Sequence, residues 1–259
     1  MLTSPGATDG TALLVRDLAV RFGQTEAVRN VSFRVMSGER VGLIGPSGAG
    51  KTSVLNAVAG MIPYSGGDIV VLGANRAELN ERDRRSVASR VGMVHQQLLL
   101  TPRLRVLHNV NAGRLGDWST ARSLYSFVRP QGVSEVEVAL ARVGIADKMR
   151  SRTDTLSGGE QQRAALARVL IQKPDLFLAD EPVSAVDPSW GHRVLEELSH
   201  EVRTRNAALL VVLHDVDLAQ MFCDRLIGIR SGTVVFDLPA SDVAHGQFAS
   251  LYELAPTRV

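Results

Sequence analysis

Residues 39–52 read ERVGLIGPSGAGKT. A short apolar run enters a glycine-rich loop, and KTSVLNAVAG then keeps helical apolar spacing up to Gly60, which spells strand, loop, helix. Within it GPSGAGKT (45–52) meets G-x-x-x-x-G-K-[ST] at every fixed position, in the setting that pattern needs. Backbone amides of such a loop can wrap phosphate oxygens, a lysine here reaches the β and γ oxygens, and a hydroxyl here can hold Mg²⁺. The expected contact set is Gly45, Pro46, Ser47, Gly48, Ala49, Gly50, Lys51, Thr52 and Ser53, with Thr52 as the metal ligand. This is a nucleotide-phosphate site.

Upstream, LLVRDLAVRF (13–22) and VSFRVM (31–36) read as strands joined by a turn-rich GQTEAVRN, and DIVVLG (68–73) and RVGMVH (90–95) as further strands. From about residue 97 the texture changes to helical segments between Pro and Gly breaks; one carries a capping box, Ser134 with Glu137, and ends at Gly144. A helix over 160–172, a buried strand DLFLAD (175–180), a helix over 189–203, the strand AALLVVLH, a helix near 216–222 and a hairpin RLIGIRSGTVVF follow. Strands alternating with helices predict an α/β fold with a largely parallel sheet, interrupted by a helical insertion.

DLFLADE (175–181) supplies the partner the loop requires, an apolar strand that ends in acid. Asp180 falls at the strand's carboxyl end, where Mg²⁺ lies in such sheets. Glu181, one residue on, is the natural base for a water attacking the γ-phosphate. Phe22 ends the first strand, 29 residues before Lys51. It is either a core aromatic or a flat face for adenine, since aromatics stack on bases with little sequence demand.

A second glycine-rich helix start, LSGGEQQR (156–163), cannot serve the same phosphates, because the first loop already surrounds one side of them. Exposed amides and roughly half a positive charge at a helix N-terminus still call for an anion. A head-to-tail pair of chains satisfies both loops, each chain completing the other's site with Ser157, Gly158, Gly159 and Glu160. A simple helix cap would need Ser157 but not two glycines.

These motifs, in this order, resemble the ATPase subunit of an ABC transporter over residues 13–240. Phe22 matches the adenine-stacking position, GPSGAGKT Walker A, Gln96 the Q-loop glutamine, LSGGEQQR the signature, LFLADE Walker B, SAVD (184–187) the D-loop and His214 the switch histidine. The resemblance implies a P-loop NTPase (RecA-like) core with an N-terminal antiparallel β subdomain and an inserted α-helical subdomain. It implies one domain over 13–259, its core at about 13–96 and 160–240, the insertion at about 97–159 and a loose segment at 1–12. It implies ATP hydrolysis with Mg²⁺, held by Thr52, Gln96 and Asp180, with Glu181, His214 and Gln96 catalytic. It further implies a second copy of the chain reached through Asp187, transmembrane permease subunits, and indirectly an extracytoplasmic substrate-binding protein.

Composition sets the bounds. With 45% hydrophobic and 22% charged residues, the 259-residue chain has an ordinary globular make-up. A net charge of +2 is no basic field of the kind nucleic acid needs, so no nucleic-acid partner is expected. The only cysteine, Cys223, fits a reducing compartment. The longest aliphatic run, AALLVVL (207–213), is far short of a membrane span, and the start MLTSPGATDG has no secretory pattern. A soluble chain is expected, held at the cytoplasmic face of the membrane by its partners.

The chain ends about twenty residues after its last strand and carries no fused membrane segment, which resembles importer subunits without a C-terminal regulatory domain. LTPRLRVLHNVNAGRLGDWSTARSLYSF (100–127), with its AGRLG and RSL, and the stretch 213–242 resemble the phosphonate importer ATPases. Three positions depart from the pattern: His95 replaces a bulky aromatic, Asp215 follows His214 where glutamine is frequent, and VSAVD differs near the D-loop. Importers of phosphate or an amino acid are the alternative. ABC ATPases of DNA repair or translation fit less well, because no heptad insertion or second ATPase domain is present. The permease is expected against Leu98–Leu100, Leu104, Val106 and Leu107, beside Arg103 and Arg105, with about half of these apolar side chains expected only to pack the insertion's own core.

Overall fold

The computed structural model describes residues 10–95, 98–119, 121–122, 125–126, 129, 131–183 and 188–252. Gln96 and Asp187 lie outside the described residues, as do the rest of SAVD and the segment 1–9.

Period-two alternation builds the first layer. β1 (Thr11–Phe22) and β2 (Thr25–Met36) pair antiparallel, and β4 (Gly66–Val71) with β5 (Ala74–Asn75) completes a sheet of order β2-β1-β4-β5. The turn between β1 and β2 is shorter than the sequence suggests. Gly23 takes a left-handed φ of 57°, and Phe22 already pairs with Thr25. The polar look of 24–30 is the solvent side of a strand whose Val28 is buried.

The second sheet has the order β10-β9-β3-β8-β7-β6. It comprises β3 (Arg40–Ile44), β6 (Val91–Val94), β7 (Leu176–Asp180), β8 (Ala208–Val212), β9 (Arg225–Arg230) and β10 (Thr233–Pro239). All run parallel except β10, which returns as a hairpin on β9. Helices and the first sheet cover both faces, so β7 and β8 are apolar throughout. Leu43, Leu176, Leu178, Leu210 and Val212 join the core beneath α1 (Lys51–Ala59) and the antiparallel sheet. Ile44, Phe177, Ala179, Leu209 and Val211 join the opposite core.

That opposite core is roofed by α3 (Val106–Asn111), α4 (Val133–Arg142), α5 (Gly158–Gln172) and α6 (Pro188–Arg205). α7 (Val216–Phe222) and α8 (His245–Tyr252) add Ala219 and Leu251 to the same core, and α2 (Glu81–Ser89) adds Val87 to the other. The capping box expected at Ser134 and Glu137 does not form. α4 starts two residues earlier, after Gly132 in the left-handed region, which places Ser134 inside the first turn, where its hydroxyl donates to Glu135 instead. Gly144 does follow the helix end, with φ 69° and its N–H bonded to Ala141 O. Arg142 fastens α4 to α6 by ion pairs of 2.6 Å to both Glu197 and Glu201.

Candidate active site

The chemistry gathers where β3, β7 and β8 end, at the carboxyl edge of the parallel sheet. Past Ile44 the chain turns at Gly45, with φ 147°, so close to β9 that a Cβ there would lie 2.0 Å from Ile229 O. Gly50 caps α1 at φ 103°, where a Cβ would lie 2.4 Å from Ala27 O of β2. Close packing alone therefore demands glycine at positions 45 and 50. β2 also brings in the hairpin that ends at Phe22, which is 51% exposed and no core aromatic.

Lys51 opens α1 almost fully buried, its ammonium donating to Gly45 O at 2.8 Å and Pro46 O at 2.9 Å. Burial lowers its pKa, against the opposing pull of Glu181 and Asp180. Thr52 Oγ1 donates to Asp180 Oδ1 at 3.1 Å. Burial pushes the Asp180 carboxyl above the usual aspartate range, the Thr52 bond opposes this, and the neighbouring Glu181 charge adds to it.

Glu181 sits in the left-handed region at φ 48°, unusual for a side chain that is not glycine. Its N–H donates to Val212 O at 3.2 Å and its carboxylate lies 2.5 Å from His214 Nε2. His214 is aimed there by the end of β8 and by Asp215, which caps α7 by accepting from Leu218 N at 3.0 Å. The departure at Asp215 thus has a local structural role. Lys51, Thr52, Asp180, Glu181 and His214 form one cluster.

The start of α5, at LSGGEQQR, is organised by contacts of its own. Ser157 caps α5 in a reciprocal box with Glu160: its hydroxyl accepts from Glu160 N at 3.3 Å, and its own N–H donates to Glu160 Oε2 at 2.8 Å. Lys148 adds an ion pair to Glu160 at 3.4 Å. Gly158 and Gly159 have nothing within 4 Å of where a Cβ would be. Nothing in this chain's own packing requires them to be glycine.

Three side chains of the site were not singled out by sequence reasoning. Gln162, buried on α5, donates to Pro182 O at 2.5 Å, one residue past Glu181. Its signal lay within the quoted motif, as a polar residue on the buried face of the helix. Arg168, further along α5, donates to Leu98 O and Leu99 O and so holds the segment after Gln96. Burial and the Arg168 charge lower the His95 pKa, so His95 stands as an uncharged ring where the family pattern has an aromatic. Tyr252 of α8 lies by the Gly45 backbone, which opposes the upward push of burial on its hydroxyl pKa, and no sequence pattern pointed to it.

The family model for ABC transporters matches residues 28–184. The chain belongs to the ABC transporter family. It is an ATP-binding cassette ATPase with a P-loop NTPase core, an antiparallel β layer and an inserted helical region. Among its relatives, the phosphonates import ATP-binding protein PhnC of Pseudomonas fluorescens is 44% identical over 88% of this chain and 86% of its own length. The protein of the same name from Pseudomonas putida is 44% identical over 92% and 90%. A solved dimeric bacterial ABC transporter cassette superposes with a TM-score of 0.77 at 25% identity, covering 88% of this chain and 98% of that one. A dimeric cassette in a post-hydrolysis state bound to ADP and Pi gives 0.74 at 25% identity, with the same coverages.

The permease surface expected from the sequence loses two of its residues. Val106 and Leu107 are buried in the core, so they cannot line a groove. The open groove of about 800 Å³ lies between α2, β6, the segment 112–118 and α5, walled by Arg85, Met93, Leu115, Trp118 and Arg168. The AGRLG glycines build it. A Cβ on Gly113 would lie 2.2 Å from Arg168 O, and one on Gly116 2.6 Å from Ser89 Cβ.

Proposed function

We propose that this chain is the ATP-hydrolysing motor of an importer for phosphonates or a close phosphorus oxyanion, acting as a head-to-tail pair. The observation that carries the motor role is the single cluster of Lys51, Thr52, Asp180, Glu181 and His214. The chain's own fold leaves Gly158 and Gly159 bare for another molecule. The substrate class rests on the relatives, which are named for phosphonate import over nearly their whole length.

The donor set suits Mg²⁺ brought with ATP. Asp180 and Thr52 offer hard oxygens side by side, and no group of three or more His, Cys, Asp or Glu side chains among the described residues would hold an ion alone. Such an ion keeps one or two protein oxygens and takes the rest from phosphates and water. When bound it neutralises charge developing on the β and γ oxygens.

Lys51 releases the Gly45 and Pro46 carbonyls to reach those oxygens, and Phe22 stacks on adenine. Glu181, steadied by His214, takes a proton from water as its oxygen bonds to the γ-phosphorus and the bond to ADP breaks. Ser157, Gly158 and Gly159 close on the γ-phosphate of the other chain, with Asp187 crossing the interface and Gln96 beside the metal. The groove at Leu115 and Trp118 takes a cytoplasmic helix of the permease. No helix among the described residues is long and apolar enough to cross a membrane, in keeping with a peripheral place at the cytoplasmic face. A substrate-binding protein outside the membrane would deliver the ligand.

Glu181→Gln tests the core of this reading. It should cut turnover by roughly a hundredfold or more while ATP binding persists, since a positioned base contributes on that scale. Hydrolysis at the wild-type rate would place the base elsewhere. For the substrate, liposomes holding this chain with its permease and binding protein should show ATPase stimulation by phosphonate, phosphite or phosphate. Stimulation by an amino acid or a sugar alone overturns the substrate while sparing the motor.

A further inference from the structure

The segment that carries Glu181 is clamped by the helix that carries the signature. Gln162 is buried on α5, and its amide donates to Pro182 O at 2.5 Å. One residue along the same helix, Arg163 stacks on Trp190 of α6, with its guanidinium carbon 4.0 Å from the ring centroid. α5 therefore holds both Pro182, just past Glu181, and Trp190 in the first turn of α6. Glu181 needs such a grip, because φ 48° is not a conformation it would keep without support. The Val212 and His214 contacts restrain it from the sheet side. Gln162 is the restraint on the other side, and a proline carbonyl held by a side-chain amide cannot rotate freely.

We propose that Gln162 is a positioning residue for hydrolysis. Through Pro182 it holds its own chain's Glu181 in line, and it thereby ties that base to the helix whose N-terminus faces the other chain's nucleotide. This rests on the trans-signature reading above and adds a direction to it. Ser157 and Gln162 lie five residues apart on one rigid helix, about 7.5 Å along its axis. Tilting of α5 as Ser157, Gly158 and Gly159 close on the partner's γ-phosphate would be felt at Pro182. Each base is then set by the nucleotide that its own chain's signature touches.

Gln162→Met keeps the volume and removes the donor. In the isolated subunit it should lower kcat about tenfold, the scale on which a misplaced catalytic group loses rate, while KM for ATP stays within twofold. Gln162→Asn, with a shorter but intact donor, should recover part of the loss. The melting temperature reports whether the fold has suffered.

Mixed dimers then separate action on a chain's own base from action through the signature. Each carries Glu181→Gln in one subunit, so a single working base remains. Gln162→Met in the subunit that keeps Glu181 should lower the residual ATPase about tenfold. Gln162→Met in the subunit that carries Glu181→Gln, whose signature serves the working site, should leave it unchanged. The reverse pattern, or equal loss in both, overturns the proposal. A failure of the dimer reading itself is visible separately, as an unchanged mass in light scattering of Glu181→Gln with ATP.

Discussion

Gly158 and Gly159 offer a perturbation whose two effects should have opposite signs. Both lie in the first turn of α5, neither has a left-handed φ, and a Cβ at either would touch nothing within 4 Å. Alanine fits the backbone and removes freedom from the unfolded chain, worth about 0.5–1 kcal/mol in a helix interior. Taking roughly half of that per site in a first turn, the double variant Gly158→Ala, Gly159→Ala should be more stable by about 0.5–1 kcal/mol. For a chain of this size that raises the melting temperature by about 1–4 °C. The same methyl groups would stand between the helix amides and the other chain's γ-phosphate, so ATPase turnover should fall at least tenfold, and ATP-driven pairing on the Glu181→Gln background should weaken. Thermal unfolding without nucleotide, steady-state ATPase and light scattering read these three quantities. A lower melting temperature would mean that the glycines serve this chain's own fold. Unchanged turnover and pairing would mean that no second molecule needs them bare.

Asp180→Asn should stabilise the nucleotide-free chain at neutral pH while abolishing Mg²⁺-dependent hydrolysis. Burial raises the folded carboxyl's pKa, so between its ordinary value near 3.9 and that raised value the folded chain binds more protons than the unfolded. Wild-type stability therefore falls as pH rises through that window, and the variant's advantage should vanish when melting is followed down to about pH 4; an advantage independent of pH would refute it. Arg142→Ala should cost about 1–2 kcal/mol, because it strips the 2.6 Å partner from the nearly buried Glu201 and leaves only Arg205 at 3.6 Å. Denaturant unfolding with no change of midpoint would show the α4–α6 tie to be idle.

The strand–loop–helix at 39–52 was legible because its chemistry and its period agree: apolar run, glycines, lysine and helical spacing all sit where phosphate binding needs them. DLFLADE was legible for the same reason. What escaped is long-range. Gln162, Arg168 and Tyr252 act through contacts with Pro182, Leu98–Leu99 and Gly45, and a chain read in order gives no sign of those pairings. Two residues of the expected docking face fell in the core because apolar content alone cannot separate a surface from a core. Val106 and Leu107 are as apolar as a docking face would be, yet they pack inward, while Leu115 and Trp118 wall the opening. The helix start at Val133 shows a local version of the same limit. Gly132, in the left-handed region, sets the boundary that Ser134 and Glu137 seemed positioned to set.

The resting cluster also explains how so much charge tolerates burial. Lys51 answers to two loop carbonyls, Asp180 to the Thr52 hydroxyl and Glu181 to His214, so each charged group in it has a hydrogen-bond partner. Phosphate binding then exchanges one set of partners for another and need not remove the charges from water again, which is the expensive step for buried ions. The exchange is unequal across the cluster. Lys51 can swing because only side-chain bonds hold it, whereas Glu181 is fixed through its backbone, by Val212 on one side and by Gln162 at Pro182 on the other. The cation is free to follow the nucleotide while the base stays where β8 and α5 put it. If α5 follows the partner's phosphate as proposed, it governs hydrolysis without touching the phosphate it helps to cleave.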